Sequence, residues 1–400
     1  MEDQTDKLEK RLHFGADLVE KGNLGKLYSK IFNLENNKLM HAFDVPNLEH
    51  LQNNFHIVDD VPGYLDAQIH KMPGRLKLKK VDTYEGSFIN ISKYGNITDY
   101  LNAEISSQRR STIKRCAKRL DLCLRPKYQM YYGEMAKSDY DRVFDHCIKM
   151  LLRRHEQKKT YWAELEYWQE RYDNLYELVQ QKKACIYVIY HEEQPISIYV
   201  NSVHQDILDI DVIAYDIDYS KFKLGFITLV KVIRWAMENN FNLIDMSKGD
   251  FFYKERFRTG TYTFQRHIIY NPKKLLFSIK AILSLQKSRL LYYMLSVLKK
   301  WKINKLYQAY IRARKKNLFE KINVEHHTFE VEKDVELPAD SMLELVNIKN
   351  PKYSFIKKEF LDFLFLSFGN ANEVEVYKVK PLEKTFYFKA EKTTQKLTYN

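Results

Sequence analysis

The chain has 400 residues, 45% of them hydrophobic, and carries a formal net charge of +13. This length and apolar content predict two or three globular domains and exclude a disordered, fibrous or low-complexity chain. Because no CxxC or Cys/His spacing links the four cysteines (Cys116, Cys123, Cys147 and Cys185), we expect reduced core thiols in a cytosolic protein and no metal site.

The sequence predicts no targeting segment. The N-terminal MEDQTDKLEK lacks the apolar stretch of a secretory signal, and no window holds the roughly 18 apolar residues of a membrane span. The positive charge is concentrated instead in residues 271–319, which hold thirteen Lys/Arg and no Asp or Glu. Basicity is therefore a local property of one segment.

Residues 1–95 are predicted to form an N-terminal α/β region with strands at 76–81 and 87–91. A helix follows from Thr98 or Asp99 and continues through RRSTIKRCAKRL, with apolar residues on one face and Arg/Lys on the other. That basic face is either a solvated helix surface or a docking surface for an anionic substrate.

The middle of the chain alternates helices and strands. The predicted elements are, in order, a strand at 127–134, helices at 140–152 and 162–179, strands at 184–191, 195–202 and 208–216, a helix at 224–239, a strand at 241–246, a short helix at 251–257 and a strand at 261–270. The three strands before the apolar helix form a meander, and a strand–helix–strand unit follows it.

The C-terminal part differs in texture. Residues 272–316 are predicted to form one or two long basic helices, and residues 318–400 a small α+β appendage. The predicted fold class is α+β, with a mixed, mostly antiparallel sheet flanked by helices, a basic helical extension and the appendage. The predicted domains are residues 1–95, 96–271, 272–317 and 318–400.

The segment between strand 208–216 and helix 224–239 has the composition of a phosphate-binding turn. Acyl transfer from coenzyme A requires N–H groups at a helix N-terminus for the pyrophosphate, and a glycine where the ligand comes close. The candidate coenzyme-binding residues are Lys221, Lys223, Leu224, Gly225 and Phe226. The alternative is an ordinary strand–helix turn.

A second polar segment follows strand 241–246. It supplies two carboxylates, a glycine and a Tyr-Lys pair: Asp245, Gly249, Asp250, Tyr253 and Lys254. Carboxylates at the end of a buried strand, next to a ligand-facing turn, are candidate general bases. The alternative is that Asp250 caps the helix at 251–257.

Together these segments resemble the GNAT N-acetyltransferase superfamily, and in particular its cellulose-biosynthesis-type branch, which is related to the Fem-type transferases. The matching residues are Tyr215-Asp216, Tyr219, Gly225, Asp245, Gly249-Asp250 and Tyr253-Lys254, and RRSTIKRCAKRL is similar to the Arg-rich helix of the branch. The phosphate turn departs from the superfamily signature Gln/Arg-x-x-Gly-x-Gly/Ala, because Ser220, Lys223 and Gly225 occupy its three places.

The resemblance implies a GNAT-like acyltransferase core at 96–271, with acetyl-CoA or another acyl-CoA as the donor and no metal. It implies Asp250 or Asp216 as the base and Tyr253 as the acid that protonates the departing thiolate. The residues that it places near the acceptor are Tyr215, Tyr219, Asp245, Gly249 and Lys254. The acceptor that it implies is a sugar or glycan of bacterial surface-polysaccharide biosynthesis.

Two other functions remain open from the sequence. One is a Fem-like transferase that uses aminoacyl-tRNA, although the expected coiled-coil insertion is absent and no motif for nucleic-acid recognition accompanies the charge. The other is a non-catalytic scaffold of a glycan-synthesis complex, against which the polar segment after strand 241–246 argues.

The basic segment 272–316 also has two interpretations. It forms either core-packing helices with a solvated basic face or basic amphipathic helices that lie on an anionic membrane surface. The second interpretation would hold a cytoplasmic enzyme at the inner face of the membrane, close to lipid-linked substrates.

Overall fold

The computed structural model describes residues 9–44, 51, 53–71, 76–249, 251–301, 311, 314, 328–380 and 384–399. The strands are β1 (Glu9–His13), β2 (Tyr28–Asn33), β3 (Lys38–Ala42), β4 (Phe55–Pro62), β5 (Leu65–Ile69), β6 (Lys77–Asn90), β7 (Lys127–Tyr131), β8 (Ala184–His191), β9 (Gln194–His204), β10 (Ile207–Tyr215), β11 (Leu243–Lys248), β12 (Gly260–Tyr270), β13 (Phe329–Lys333), β14 (Leu343–Leu345), β15 (Glu375–Val379), β16 (Thr385–Lys389) and β17 (Thr394–Tyr399). The α-helices are α1 (Ile97–Glu104), α2 (Ser107–Leu124), α3 (Lys137–Lys158), α4 (Trp168–Gln180), α5 (Leu224–Glu238), α6 (Phe252–Phe257), α7 (Leu275–Lys300) and α8 (Lys357–Ser367).

The chain divides into two compact units, each assembled from separate segments. The first comprises Met1–Glu104, Ser202–Asp211 and Ala236–Tyr307, and the second Ile105–Asn201, Val212–Trp235 and Gln308–Asn400. The predicted α+β class, with a mostly antiparallel sheet flanked by helices, is confirmed. The predicted domains were continuous ranges, and their boundaries stay a prediction.

The first unit is built on strands in the order β1-β4-β12-β6-β11-β10 and on a smaller sheet, β3-β2-β5. The pairs β1/β4 and β10/β11 are parallel. In contrast, β12 is antiparallel to both β4 and β6, and β11 is antiparallel to β6. Alternation along β12 gives the sheet two apolar faces, because Ile269 joins the core that contains Tyr28 and Ile31 while Ile268 packs with Phe277 of α7.

One strand prediction in this unit is wrong. The sequence predicted separate strands at 76–81 and 87–91, but β6 is a single strand of 14 residues. Its polar middle stays in the sheet because Asp82 and Glu85 pair with Gln265 and Thr263 of β12. Backbone pairing, which composition does not report, continues the strand through a segment of turn-like residues.

The second unit places α3 and α4 against the strands β10-β9-β8-β7. The amphipathic pattern of α3 turns Tyr140 and Phe144 inward, and the Phe144 ring lies 4.4 Å from that of Trp168 in α4. Strand side chains such as Ile186 and Ile198 complete this core. The helices that periodicity predicted are therefore held by one buried stripe each.

The same unit contains a second sheet, in the order β13-β17-β16-β15-β14, with α8 packed on it. Phe360 and Phe363 of α8 lie 5.9 and 5.7 Å from the ring of Phe388. The strand β17 has the polar sequence TQKLTY, which lacks the run of apolar residues that makes a strand recognisable in a sequence.

The basic segment begins with α7, which ends at Lys300, and most of residues 302–316 lie outside the described residues. Within the described ranges, no helix has the length and apolar character needed to cross a membrane. The inner face of α7 carries Phe277 and Ala281 into a core with Phe55 and Tyr270. Its outer face is also apolar but exposed, with Leu276 79% and Leu283 64% accessible.

Candidate functional site

The turn between β10 and α5 begins with a side-chain cap and ends with a residue in the left-handed conformation. Asp216 starts a 3-10 helix, Ile217–Phe222, because its carboxylate accepts the Asp218 amide at 3.1 Å. Lys223 ends that helix in a left-handed conformation with φ 57°, and α5 begins at Leu224. The left-handed residue of the turn is thus a lysine, and Gly225 lies within the first turn of α5.

Gly225 is in a crowded position. Its carbonyl accepts the Tyr199 hydroxyl at 2.7 Å, and a Cβ at this position would lie 3.2 Å from Cε1 of the Tyr215 ring. The first N–H groups of a helix have no intrahelical acceptor, which leaves those of Leu224 and Gly225 for a ligand. The Phe226 amide, predicted to contribute, donates to the Lys223 carbonyl at 3.0 Å.

The two lysines of the turn differ in their surroundings. The Lys221 ammonium lies 3.6 Å from the Asp362 carboxylate. Lys223 is exposed and forms no ion pair with another residue in the described part of the chain. Of the two, Lys223 is the cation that remains for an anionic ligand at the start of α5.

Asp216 is buried in a network of ion pairs. Arg153 contacts it at 2.9 Å, Lys357 contacts it at 3.1 Å, and Arg153 also reaches Asp218 at 2.8 Å. Burial would raise the pKa of Asp216, but the charges of Lys357 and Arg153 hold that pKa below its ordinary value. A carboxylate with a lowered pKa is a poor proton acceptor, so this geometry favours a structural role.

The two tyrosines predicted to lie near the acceptor also have protein partners. The Tyr219 hydroxyl lies 2.8 Å from Nδ1 of His191, and burial raises the pKa of Tyr219 well above its ordinary value. The Tyr215 ring carries the Arg154 guanidinium 4.5 Å from its centroid. Both rings are fixed in place, and Tyr215 keeps part of its surface accessible.

In the first unit, Asp245 of β11 is the centre of a buried polar cluster. Its carboxylate accepts the hydroxyls of Tyr64 at 2.8 Å and Tyr262 at 2.6 Å, and the amide of Ser247 at 2.6 Å. Only 3% of Asp245 is exposed. Burial raises the pKa of Asp245, and the three donors oppose this rise because they stabilise the ionised form.

Asp209, which the sequence did not single out, lies directly beside Asp245. The two residues are cross-strand partners in the parallel pair β10/β11. Burial, and after it the charge of Asp245, raises the pKa of Asp209 well above its ordinary value. The available signal was an acidic residue inside the apolar strand sequence ILDIDVIAY.

Lys254 is buried and stabilises the loop after Asp245 through hydrogen bonds. Its ammonium donates to the carbonyls of Ser247 at 3.0 Å and Lys248 at 2.7 Å, and only 3% of the residue is exposed. These bonds hold the segment after Asp245, where β11 shifts its register against β6 and Ser247 takes a left-handed conformation with φ 59°. A lysine used in this way supports the loop, whereas the sequence predicted that it holds the acceptor.

The rest of the loop is partly described. Gly249 has φ 106°, which favours glycine, and Tyr253 is half-buried with its ring 6.2 Å from that of Phe251. Asp250, the first choice for the base, lies outside the described residues. The helix α6 has Phe251 at its N-cap position, so the alternative of an Asp250 cap does not describe this helix start.

Comparison with known proteins bears on the segment that holds these residues. Residues 107–255 match the family model described as an acetyltransferase (GNAT) domain. This match confirms the predicted similarity to the GNAT superfamily and the prediction of an acyltransferase, while the cellulose-biosynthesis-type branch stays a prediction. A search among curated proteins finds no match.

Several solved structures are remotely similar. FemX is 12% identical, with 57% of this chain and 74% of that chain covered and a TM-score of 0.39. L-PGS from Bacillus licheniformis is 11% identical, with 58% and 72% covered and a TM-score of 0.34. The PaiA N-acetyltransferase of Thermoplasma acidophilum, solved with coenzyme A, is 9% identical, with 29% and 75% covered and a TM-score of 0.25. Similarity at this level carries no argument about activity.

Proposed function

We propose that this chain, whose residues 107–255 match a GNAT acetyltransferase domain, transfers an acyl group from acyl-CoA to an amine or hydroxyl of a sugar or glycan. The observation that carries the proposal is this match together with the start of α5 that lies inside it. Acetyl-CoA is the donor that we expect, and bacterial surface-polysaccharide assembly is the process. No metal takes part in the proposed reaction.

The start of α5 supports a pyrophosphate site. A helix N-terminus carries a partial positive charge, and the amides of Leu224 and Gly225 have no intrahelical acceptors. The exposed ammonium of Lys223 adds a full charge at the same turn. Donors and charge at one helix end are what a diphosphate requires.

The acceptor side of the proposal rests on the loop after β11. Phe251 and Phe252 are 53% and 62% exposed, and Tyr253 lies beside them. Exposed rings of this kind suit stacking on the apolar faces of a sugar. The resemblance implies Asp250 as the base, in preference to the ion-paired Asp216, and Tyr253 as the proton donor for the thiolate.

We further propose that the outer face of α7 rests on an anionic lipid surface and brings the enzyme to lipid-linked acceptors. Leu276, Ile279, Leu283 and Leu290 recur at helical spacing and are 47% to 79% exposed. Exposed Lys287 adjoins them, and residues 271–319 contain no acidic residue. Apolar area combined with cations fits the interface of an anionic bilayer.

The donor site is tested by calorimetry with acetyl-CoA, using Gly225→Asp and Gly225→Ala. Aspartate places a carboxylate where the pyrophosphate would bind, so we expect no measurable binding to that variant. Alanine adds only the methyl group that approaches Tyr215, and we expect binding weakened by less than about tenfold, or 1.4 kcal/mol.

The pair of variants separates charge from crowding. Equal loss of affinity in both would mean that space at Gly225 decides binding, and unchanged affinity in Gly225→Asp would refute the phosphate site. Thermal unfolding of both variants without ligand is the control for folding, because ligand stabilisation is a separate contribution.

A further inference from the structure

The cluster around Asp245 contains two carboxyl groups at adjacent positions of a parallel strand pair. Asp209 of β10 is the register partner of Asp245 in β11, so both side chains leave the same face of the sheet. Among the described residues, β10 and β11 pair at three positions, from Ile207 opposite Leu243 to Asp209 opposite Asp245. Both strands continue beyond the last of these pairs. The two carboxyl groups therefore mark the end of the paired stretch.

The two groups have unequal hydrogen bonding. Asp245 accepts two phenol hydroxyls and one amide, which are donors to an ionised carboxylate. No hydrogen bond joins the Asp209 carboxyl to another described residue. Since two adjacent carboxyls do not both ionise readily, the charge belongs on the buried and hydrogen-bonded Asp245 and the proton on the half-buried Asp209.

Other titratable groups around the pair act in the same direction. Asp209 also faces Asp211 of its own strand, Glu20, and the phenols of Tyr64 and Tyr262. The positive charge of Lys254 acts on Asp245 and lowers its pKa. The acidic groups oppose ionisation of Asp209, while the lysine stabilises the charge of its neighbour.

The backbone next to the pair is irregular, and a buried lysine stabilises it through hydrogen bonds. The register of β11 against β6 shifts between Asp245 and Lys248, and Ser247 adopts φ 59°. The buried Lys254 ammonium holds two carbonyls of this shifted segment. Bulges of this kind are frequent beside active sites, where they re-aim a side chain or end strand pairing.

We propose that Asp209 and Asp245 form a carboxyl pair that holds one proton, and that Asp209 exchanges this proton with the reacting groups of acyl transfer. Asp209 is the catalytic residue of the pair, and it takes the roles of base and proton donor that the resemblance gives to Asp250 and Tyr253. Asp245, fixed by Tyr64 and Tyr262, is a positioning residue that keeps the proton on its neighbour. The pairing itself is independent of the reaction, whereas the exchange rests on the proposed function.

The proton that Asp209 gives up is returned within one turnover of the acyl transfer. The acceptor nitrogen or oxygen attacks the thioester carbonyl, and the carbon–sulfur bond breaks as the departing sulfur takes the proton of Asp209. The Asp209 carboxylate then takes the proton that the attacking atom loses. The products are the acylated acceptor and coenzyme A thiol, and the pair returns with its single proton.

The proton is detected by infrared difference spectroscopy of the full chain. We expect a protonated carboxyl band at neutral pH that disappears in the isosteric Asp209→Asn and persists in Asp82→Asn, an exposed aspartate of β6. In Asp245→Asn the band should titrate away at lower pH, because the neighbouring charge is gone. Absence of the band in the wild type, or its persistence in Asp209→Asn, overturns the pair.

The exchange is measured as thiol release from acetyl-CoA with glucosamine as the probe acceptor. We expect Asp209→Asn to lower kcat about 10²- to 10⁴-fold, as for loss of an acid–base group, with KM for acetyl-CoA nearly unchanged. An unchanged kcat overturns the catalytic role. If the wild type neither binds acetyl-CoA nor releases thiol, the proposed function fails, and the infrared result alone decides whether the pair exists.

Discussion

At the scale of single residues, hydrogen-bond partners separate Asp216 from Asp245. Both carboxyls are buried, and the sequence placed both near the chemistry. Asp216 is neutralised by Arg153 and Lys357, whereas Asp245 is held by phenols and an amide and lies beside a second carboxyl. A neighbouring positive charge lowers the pKa of a carboxyl group, and a neighbouring carboxylate raises it.

This difference predicts how stability depends on pH. The pKa of Asp209 is raised in the folded chain, so between its unfolded value, about 3.9, and its folded value the native state binds more protons. Stability due to this group is therefore complete at acid pH and is lost as pH rises. We expect Asp209→Asn to melt at a higher temperature than the wild type at pH 8, with the difference vanishing near pH 4.

Differential scanning calorimetry across this pH range is the measurement, and Asp82→Asn is the matched control. A lower melting temperature of Asp209→Asn at pH 8 would mean that the Asp209 carboxylate has a stabilising partner. It would contradict a raised pKa.

The sequence identified Asp245 but not Asp209 for a physical reason. Asp245 stands at the end of an apolar strand beside a Gly-Asp loop, which is a local pattern. What matters for Asp209 is its partner 36 positions further along the chain, and strand register between distant segments leaves no local mark. Tyr64, whose hydroxyl reaches Asp245 from a separation of 181 residues, was equally invisible.

At the scale of elements, α7 shows what hydrophobic periodicity in a sequence cannot predict. The sequence allowed two interpretations, a helix that packs into the core and an amphipathic helix on a membrane surface. Each of them assumes a helix with a single apolar face. The helix has two, because Phe277 and Ala281 face the sheet while Leu276 and Leu283 face outward. Apolar residues on both faces smooth the periodic signal, so only the structure separates the buried side from the exposed one.

We expect α7 to bind vesicles through its outer face. Co-sedimentation with vesicles of phosphatidylserine and phosphatidylcholine should show binding that weakens as salt is added, because the exposed cations are screened. The double variant Leu276→Ser/Leu283→Ser should bind at least about tenfold more weakly, since a buried leucine contributes roughly 1.5 kcal/mol or more.

The control is Leu122→Ser, which removes a leucine that is 51% exposed on α2. Equal binding of the double variant and this control would refute the α7 surface. A concentration-dependent dimer of the wild type in light scattering, lost in the double variant, would assign the face to a second copy.

At the scale of the whole molecule, the segment order along the chain is not the order of the compact units. Gln308–Asn400, a segment that includes the predicted appendage 318–400, belongs to the same unit as Ile105–Asn201 and Val212–Trp235. Within that unit, Lys357 at the start of α8 contacts Asp216 at the end of β10. The α+β class could be predicted from local patterns, but this assembly could not, because it depends on contacts between segments that are more than a hundred residues apart.

Lys357→Met should destabilise this unit. A hydrogen bond to a charged group contributes roughly 1.5–3 kcal/mol, and because the Lys357 side chain is 31% exposed we expect a loss of about 1 kcal/mol. The pKa of Asp216 is lowered when folded, so this stabilisation is present at neutral pH and is lost as pH falls. Urea unfolding at pH 7 and pH 4 measures it, with the exposed Lys352→Met as control. Equal stability of the two variants at pH 7 would show that Arg153 alone satisfies Asp216.

The left-handed lysine at position 223 has a consequence for engineering. A side chain in that conformation costs roughly 1 kcal/mol, which glycine would avoid. Replacement by glycine is thus an obvious route to a more heat-resistant protein. The same change removes the exposed cation at the start of α5, so selection for thermostability alone would erode affinity for an anionic donor. The turn is a point where robustness and ligand binding make opposite demands on one residue.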